Sequence, residues 1–288
     1  LNSKLHATGA KIRELSLAGS DVAALRVFKK KAMVDIYRIL AQTLGEPPKD
    51  FTWRPKKKKD DDKKATADVK KDENKKAEDN ASTKEKEPAM DVDLTPAKQY
   101  TPLSFYREMV GTTLEDYVSL YYDPLNPKMR HYSFARSRNC ADKQDVDFVN
   151  IELETLKQIA MKSIMANEPV WFAAGMGTDQ DKTGIMASNL YNYGPLFDVD
   201  LHLTRTQRIL FRDGGPNHAM VFMGVDVVDN KPVKWLVENS WGEEKGHKGT
   251  WALYNSWFEE HVYMVIVNKR HVPADIMNCL LYTSPSPR

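Results

Sequence analysis

Apolar residues recur at helical spacing in the first part of the chain and in short alternating or continuous runs in the last part. From Asp21 to Leu44 they fall at Leu25, Phe28, Ala32, Ile36, Ile39 and Leu40, which predicts one amphipathic helix. Ser20 or Asp21 can cap its start, and Gly45 followed by Pro47 ends it. Lys4 to Leu17 also has helical character. Order resumes near Leu94, with helices expected over Leu103 to Glu108 and Ile151 to Ala166. In the latter, Leu153, Leu156, Ala160 and Ile164 form one stripe. Beyond Pro169 the pattern turns to strands. Val170 to Ala174, Ala219 to Val225, Lys234 to Asn239, Gly249 to Leu253 and Tyr263 to Val267 are the candidates. Asp229-Asn230 marks a turn, and Pro232 limits where the next ladder begins. Helices first and an antiparallel sheet afterwards make an α+β fold.

Between these parts lies different material. From Lys56 to Glu87, lysines alternate with carboxylates and large apolar side chains are nearly absent. Such a stretch cannot bury enough surface to offset chain entropy, so a disordered surface insertion is expected. The run Lys56 to Lys59 admits a nucleic-acid or localisation reading, but the interleaved acids cancel its field. The expected organisation is therefore a helical region over 1–54, a charged insertion over 55–93 and a helical region over 94–168. A β half follows over 169–277, and a tail over 278–288.

Composition narrows the classes. The chain has 288 residues, a net charge of +2 and two cysteines. No apolar run reaches the roughly 18 residues of a membrane span. Two cysteines make no disulfide framework and suit a reducing compartment. No histidine or cysteine pair has metal-ligand spacing, and there is no glycine-rich phosphate loop, so no cofactor or metal is expected.

The chemistry concentrates in two short segments. Asn217-His218-Ala219 opens one apolar run, and Glu238-Asn239-Ser240-Trp241-Gly242 closes the next. An asparagine oxygen can accept the imidazole N–H and so fix its ring and tautomer. His218 is then a base and Asn239 its orienter, as in a Cys-His-Asn hydrolase. Trp241 is placed to shield their bond from water, and the small Ala219 to line a pocket. The strand from Val170 to Ala174 either walls that pocket or is simply buried. Gly242, Gly246 and Gly249 serve turn geometry. Cys140 lacks a following tryptophan and has no helix-opening context, so it is taken as a free thiol, and Cys279 is a weaker candidate still. His247 carries no role, and His271 is expected at the surface or an interface.

Several of these segments together resemble one family. Trp235 to Glu243, Gly246-His247-Lys248-Gly249, Trp257-Phe258 and Arg270-His271-Val272-Pro273 are similar to the bleomycin hydrolase and aminopeptidase C branch of the papain-like cysteine peptidases. So are Leu44 to Pro48, Phe51-Thr52-Trp53, Thr101 to Glu108 and Val170-Trp171-Phe172. The resemblance implies a papain-like α+β fold and a cytoplasmic thiol aminopeptidase acting on peptides. It also implies a homo-oligomer, a hexamer in that family, with some nucleic-acid binding and no membrane association. Family members carry the nucleophile in a Cys-Trp segment lying before the region that Leu1 matches. The chain is accordingly expected to be a C-terminal part, inactive alone. A papain-like scaffold without a nucleophile, or a nucleic-acid-associated module, is the rival expectation. Two departures stand out. Gly175 replaces an acidic residue, and Cys279 to Arg288 does not resemble the family tail, which suggests non-native sequence there.

Overall fold

Helix formation at the start of the chain follows from capping and one shared stripe. The computed structural model describes residues 1–54, 96–111, 114–138, 143–177, 179–282 and 286–287, with side chains described as far as residue 280. The chain divides into two units, Leu1–Thr112 and Thr113–Arg288. In the first, α1 (Asn2–Leu17) and α2 (Val22–Leu44) form a pair. The Asp21 side chain accepts the Ala24 N–H at 2.7 Å and caps α2, and Gly45 ends it with φ +79°. Lys4 reaches Asp35 across the pair at 2.9 Å. Only Ala32 and Ile36 of the two helices are buried. A two-stranded ladder, β1 (Phe51–Trp53) with β2 (Lys98–Tyr100), precedes α3 (Pro102–Phe105), which runs on as a π-helical turn over Tyr106–Val110. Phe51, Trp53, Tyr100 and Phe105 pack ring against ring there. The lysine-rich insertion and Cys140 lie outside the described residues.

The second unit is built on one mixed, mainly antiparallel sheet. Its strands are β3 (Tyr117–Tyr121), β4 (Arg130–Ser133), β5 (Asp147–Asn150), β6 (Val170–Ala174), β7 (Gln180–Asp181) and β8 (Ile185–Met186). They continue as β9 (His218–Val228), β10 (Lys231–Glu238), β11 (Thr250–Tyr254), β12 (Val262–Asn268) and β13 (Ser286–Pro287). The spatial order is β13-β4-β5-β3-β12-β6-β9-β10-β11-β8-β7, with three parallel pairings, β13/β4, β5/β3 and β11/β8. The helices are α4 (Leu153–Met165), α5 (Gly194–Phe197), α6 (Arg205–Phe211), α7 (Asn255–His261) and α8 (Ala274–Tyr282). The fold is α+β. Helix α4 lays Leu156, Ile159 and Ala160 against β9 and β12. In the same core Phe172 stacks on Phe222 at 3.7 Å, and Trp235 and Phe258 close around them. This aromatic stack ties β6, β9 and β10 together just below the ends that carry His218 and Asn239. Among the described residues no helix is long and apolar enough to cross a membrane.

Three expectations need correction. The stretch 94–168 is not a helical region, since β2, β3, β4 and β5 lie in it. Strand β3 buries Val118 and Leu120 on alternate positions, a period too short to stand out from sequence. In β5, Phe148, Val149 and Asn150 are all buried, because strands flank it on both sides and the core covers both faces. Residue 277 is not a boundary either. Helix α8 runs through to Tyr282, and Met277, Cys279 and Leu280 pack against the core. Finally, His271 is buried, not at the surface, with its Nε2 bonded to Glu168 Oε2.

Candidate active site

Strand parity decides which residues of β9 and β10 face each other. Trp235 pairs with Val225 and Leu236 with Gly224, but Val237 pairs with Phe222 and Glu238 with Val221. The extra residue at Met223 is a β-bulge, and it switches the face on which even-numbered residues of β9 stand. Beyond the bulge His218, Met220 and Phe222 share a face with Val237 and Asn239. Without it, Asn217 would occupy that face instead.

The outcome is a hydrogen bond between His218 Nε2 and Asn239 Oδ1 at 2.9 Å. The same oxygen accepts the Ser240 backbone N–H at 2.8 Å. That second donor fixes which way the amide points, because a flipped Asn239 would turn its NH₂ onto an N–H. The oxygen can only accept, so Nε2 carries the ring proton and Nδ1 is left as the acceptor. Asn239 is 8% exposed, and its Nδ2 has no hydrogen-bond partner among the described residues. Trp241 lies stacked on His218, with ring centroids 5.0 Å apart and planes at 27°. Trp251 meets Trp241 edge-on at 5.4 Å and holds it there. Ala219 stands on the opposite face of β9 from His218 and is exposed, paired with Ala173. Of the four residues expected at the site, His218, Asn239 and Trp241 are brought together and Ala219 points away.

Two supports hold the site, of which the first was not visible in sequence and the second was expected as glycine turn geometry. Asn217 clamps the backbone of Met176: its Oδ1 accepts the Met176 N–H at 2.7 Å and its Nδ2 donates to the Met176 oxygen at 2.8 Å. Its own N–H bonds the Ala174 oxygen, while Ala174 pairs with His218. The residue before the histidine thus zips the end of β6 to the start of β9. Strand β6 itself is a core strand, with four of its five residues buried. Gly175 follows it, where a Cβ would stand 3.0 Å from the Gly215 oxygen and 3.3 Å from Tyr263. The second support is the loop after Trp241. Gly242, Gly246 and Gly249 have φ of +83°, +63° and +85°. Gly246 also packs under Thr250 and Trp251, where a Cβ would meet the Thr250 oxygen at 2.5 Å. The Gly246 N–H bonds the Lys182 oxygen, so the β7–β8 hairpin anchors the loop.

A model of the Peptidase C1-like family matches residues 1–77 and 88–285. The chain belongs to that family. The Peptidase C1-like match runs past Met277 to residue 285, through the segment that sequence reading set apart. Aminopeptidase W of Lactobacillus delbrueckii subsp. lactis is 33% identical over 270 residues, covering 93% of this chain and 54% of that protein. Aminopeptidase C of Lactobacillus helveticus is 30% identical, covering 96% and 55%, and bleomycin hydrolase of Homo sapiens is 29% identical, covering 97% and 56%. The crystal structure of PepW from Lactobacillus rhamnosis superposes with a TM-score of 0.80 at 30% identity, covering 99% of this chain and 58% of that one. The chain therefore spans about half the length of the curated relatives that it matches.

Around the site two buried basic side chains, Arg205 and His261, have no carboxylate at hydrogen-bonding distance among the described residues. Arg205 sits between the rings of Tyr122 and Tyr263, at 4.9 and 4.6 Å. It donates to the Glu259 oxygen at 2.6 Å and to the Val262 oxygen, closing the end of α7. Burial brings its guanidinium down to about 10. His261, the last residue of α7, is 7% exposed. Burial, and then the charges of Arg208 and Arg205, push its imidazole down to about 4. Asp179 Oδ2 lies 3.9 Å from its Nε2, too far for a hydrogen bond.

Proposed function

We propose that this chain supplies the base half of a cysteine-type aminopeptidase. His218 is the general base and acid, and Asn239 orients it. The carrying observation is the tautomer. Nε2–H is held by Asn239 Oδ1 beneath the Trp241 ring, which leaves Nδ1 as the proton acceptor. A thiol presented to Nδ1 gives up its proton, and the thiolate–imidazolium pair lowers the thiol pKa by several units. The thiolate sulfur attacks the peptide carbonyl carbon. As the C–N bond breaks, the imidazolium returns the proton to the departing amine, leaving a thioester. His218 then deprotonates a water that hydrolyses the thioester and frees the thiol. Neither Cys140 nor Cys279 is followed by the tryptophan of the family's nucleophile segment, and Cys279 Sγ faces the Met129 and Asp275 oxygens at 3.4 Å. The thiol is therefore assigned to a segment of the whole protein beyond these residues.

Peptides are the substrates in this reading, and the names of the relatives support removal of amino-terminal residues. Assembly into a homo-oligomer belongs to the same reading, and light scattering of the whole protein measures it. The test of function uses one peptide with a free amino terminus and its N-acetylated twin. The whole protein, kept reduced, is expected to trim the free peptide from its amino end and to spare the acetylated one. Failure of folded protein to cleave either peptide would favour the scaffold reading.

A further inference from the structure

A cavity of about 960 Å³ opens where the chain leaves the candidate site. Gly177, next after the Met176 that Asn217 clamps, is part of its wall. From Ala174, the strand partner of His218, to Gly177 is three residues, at most about 11 Å of chain. A peptide lying extended at His218 advances about 3.3 Å per residue. With about 5 Å between the paired strands, the near wall of the cavity falls within about five residues of the bond presented to the base.

Its wall has a definite chemistry. Asp179, Asp198, Asp200 and Asp213 line it, together with Tyr191 and Tyr193. Asp198, Asp200 and Asp213 are exposed and make no ion pair among the described residues. The basic side chains of the wall are Arg208 and His202. Arg208 is already paired, at 2.6 Å, with Glu260. Asp179 accepts the Leu190 N–H at 3.2 Å, and among the described residues no cation pairs with it at hydrogen-bonding distance. The side chain aimed at it is His261, more than nine-tenths buried, whose Nε2 stops at 3.9 Å with no hydrogen-bond partner. The rings of Tyr191 and Tyr193 stand half exposed at the rim. Carboxylates beside exposed phenol rings favour an organic cation over a hydrated metal ion, because ring faces attract a weakly hydrated ammonium or guanidinium. Among the described residues no group of three or more ligating side chains could hold a metal.

We propose that this cavity binds the side chain of a lysine or arginine residue in a peptide whose backbone lies at His218. The inference rests on the peptidase reading for the peptide, but its test needs no turnover. This chain is titrated calorimetrically at pH 8, above the ordinary imidazole range. The probes are acetyl-Ala-Arg-Ala-amide, acetyl-Ala-citrulline-Ala-amide, and Ala-Ala-Ala-amide with a free amino terminus. The arginine peptide is expected to bind at least tenfold more tightly than the other two. Asp198→Asn with Asp200→Asn should weaken it at least fivefold, with circular dichroism unchanged, and so should raising the salt from about 0.05 to 0.5 M. Equal binding of the arginine and citrulline peptides would overturn the proposal, as would indifference to the double substitution. Tighter binding of the free-amino peptide would also overturn it, by assigning the carboxylates to an α-ammonium group. A failed turnover test of the whole protein leaves this binding result standing, so the two readings fail separately.

Discussion

Asn239 Oδ1 is shared by two donors, His218 Nε2–H at 2.9 Å and the Ser240 N–H at 2.8 Å, and the backbone donor makes the side-chain bond one-way. The imidazole is thereby set in one tautomer before any substrate arrives. Nitrogen-15 correlation spectra of this chain should place His218 in the Nε2–H form, with Nδ1 unprotonated. Asn239→Ala should mix the two neutral tautomers. A predominant Nδ1–H form in the unsubstituted chain would contradict the geometry.

The loop that carries Trp241 should show a graded response to alanine. At Gly242 an added Cβ meets nothing within 4 Å, so only the left-handed backbone resists, at about 1–2 kcal/mol. At Gly246 the same strain is joined by contact at 2.5 Å with the Thr250 oxygen and 2.8 Å with the Trp251 ring nitrogen. Overpacking of that kind adds about 1–3 kcal/mol. Thermal unfolding should therefore fall further for Gly246→Ala than for Gly242→Ala. Equal melting temperatures would mean that the loop relaxes freely.

Much of this half was legible before the structure. Strand β6 matches its expected bounds, and the other four expected strands are each present with ends moved by a few residues. Their apolar runs are long enough to speak for themselves. The geometry of the candidate site was legible through His218, Asn239 and Trp241, because the motif places them at or just beyond strand ends. The bulge at Met223 was not, although Gly224 beside it is the kind of residue that marks one. Nor could sequence reveal Asn217 as a backbone clamp, since its partner, Met176, is 41 residues away. His271 looked like a surface residue because its partner, Glu168, lies 103 residues earlier.

Stability should fall with acid in a window set by His261. Its folded value, about 4, lies below the ordinary 6.5, so the unfolded chain binds the proton first. The stabilisation is fully present above about pH 6.5 and is lost as pH falls toward 4. A drop of that size corresponds to about 3 kcal/mol. Asp179, facing it at 3.9 Å, is the nearest carboxylate and Arg205 and Arg208 the opposing charges. In urea unfolding, His261→Gln should flatten the slope between pH 6.5 and 4. An unchanged slope would place the proton elsewhere.

Helix α8 should contribute to the second unit rather than trail from it. Ile276 is 2% exposed, and Met277, Cys279 and Leu280 lie against the core. Ile276→Ala should cost about 2–5 kcal/mol. Ending the chain after Met277 should lower the melting temperature by several degrees. Full stability of the shortened chain would restore the view of 278–288 as a loose tail.

The most direct measurement is the turnover of an aminoacyl reporter by the whole protein and its His218→Ala and Asn239→Ala variants. Loss of the base should lower kcat by about a thousandfold or more, and loss of the orienter by about ten- to a hundredfold. KM should stay within about threefold in both, since these groups serve the chemical step. A folded His218→Ala protein that turns over at the unsubstituted rate would contradict the account at its centre.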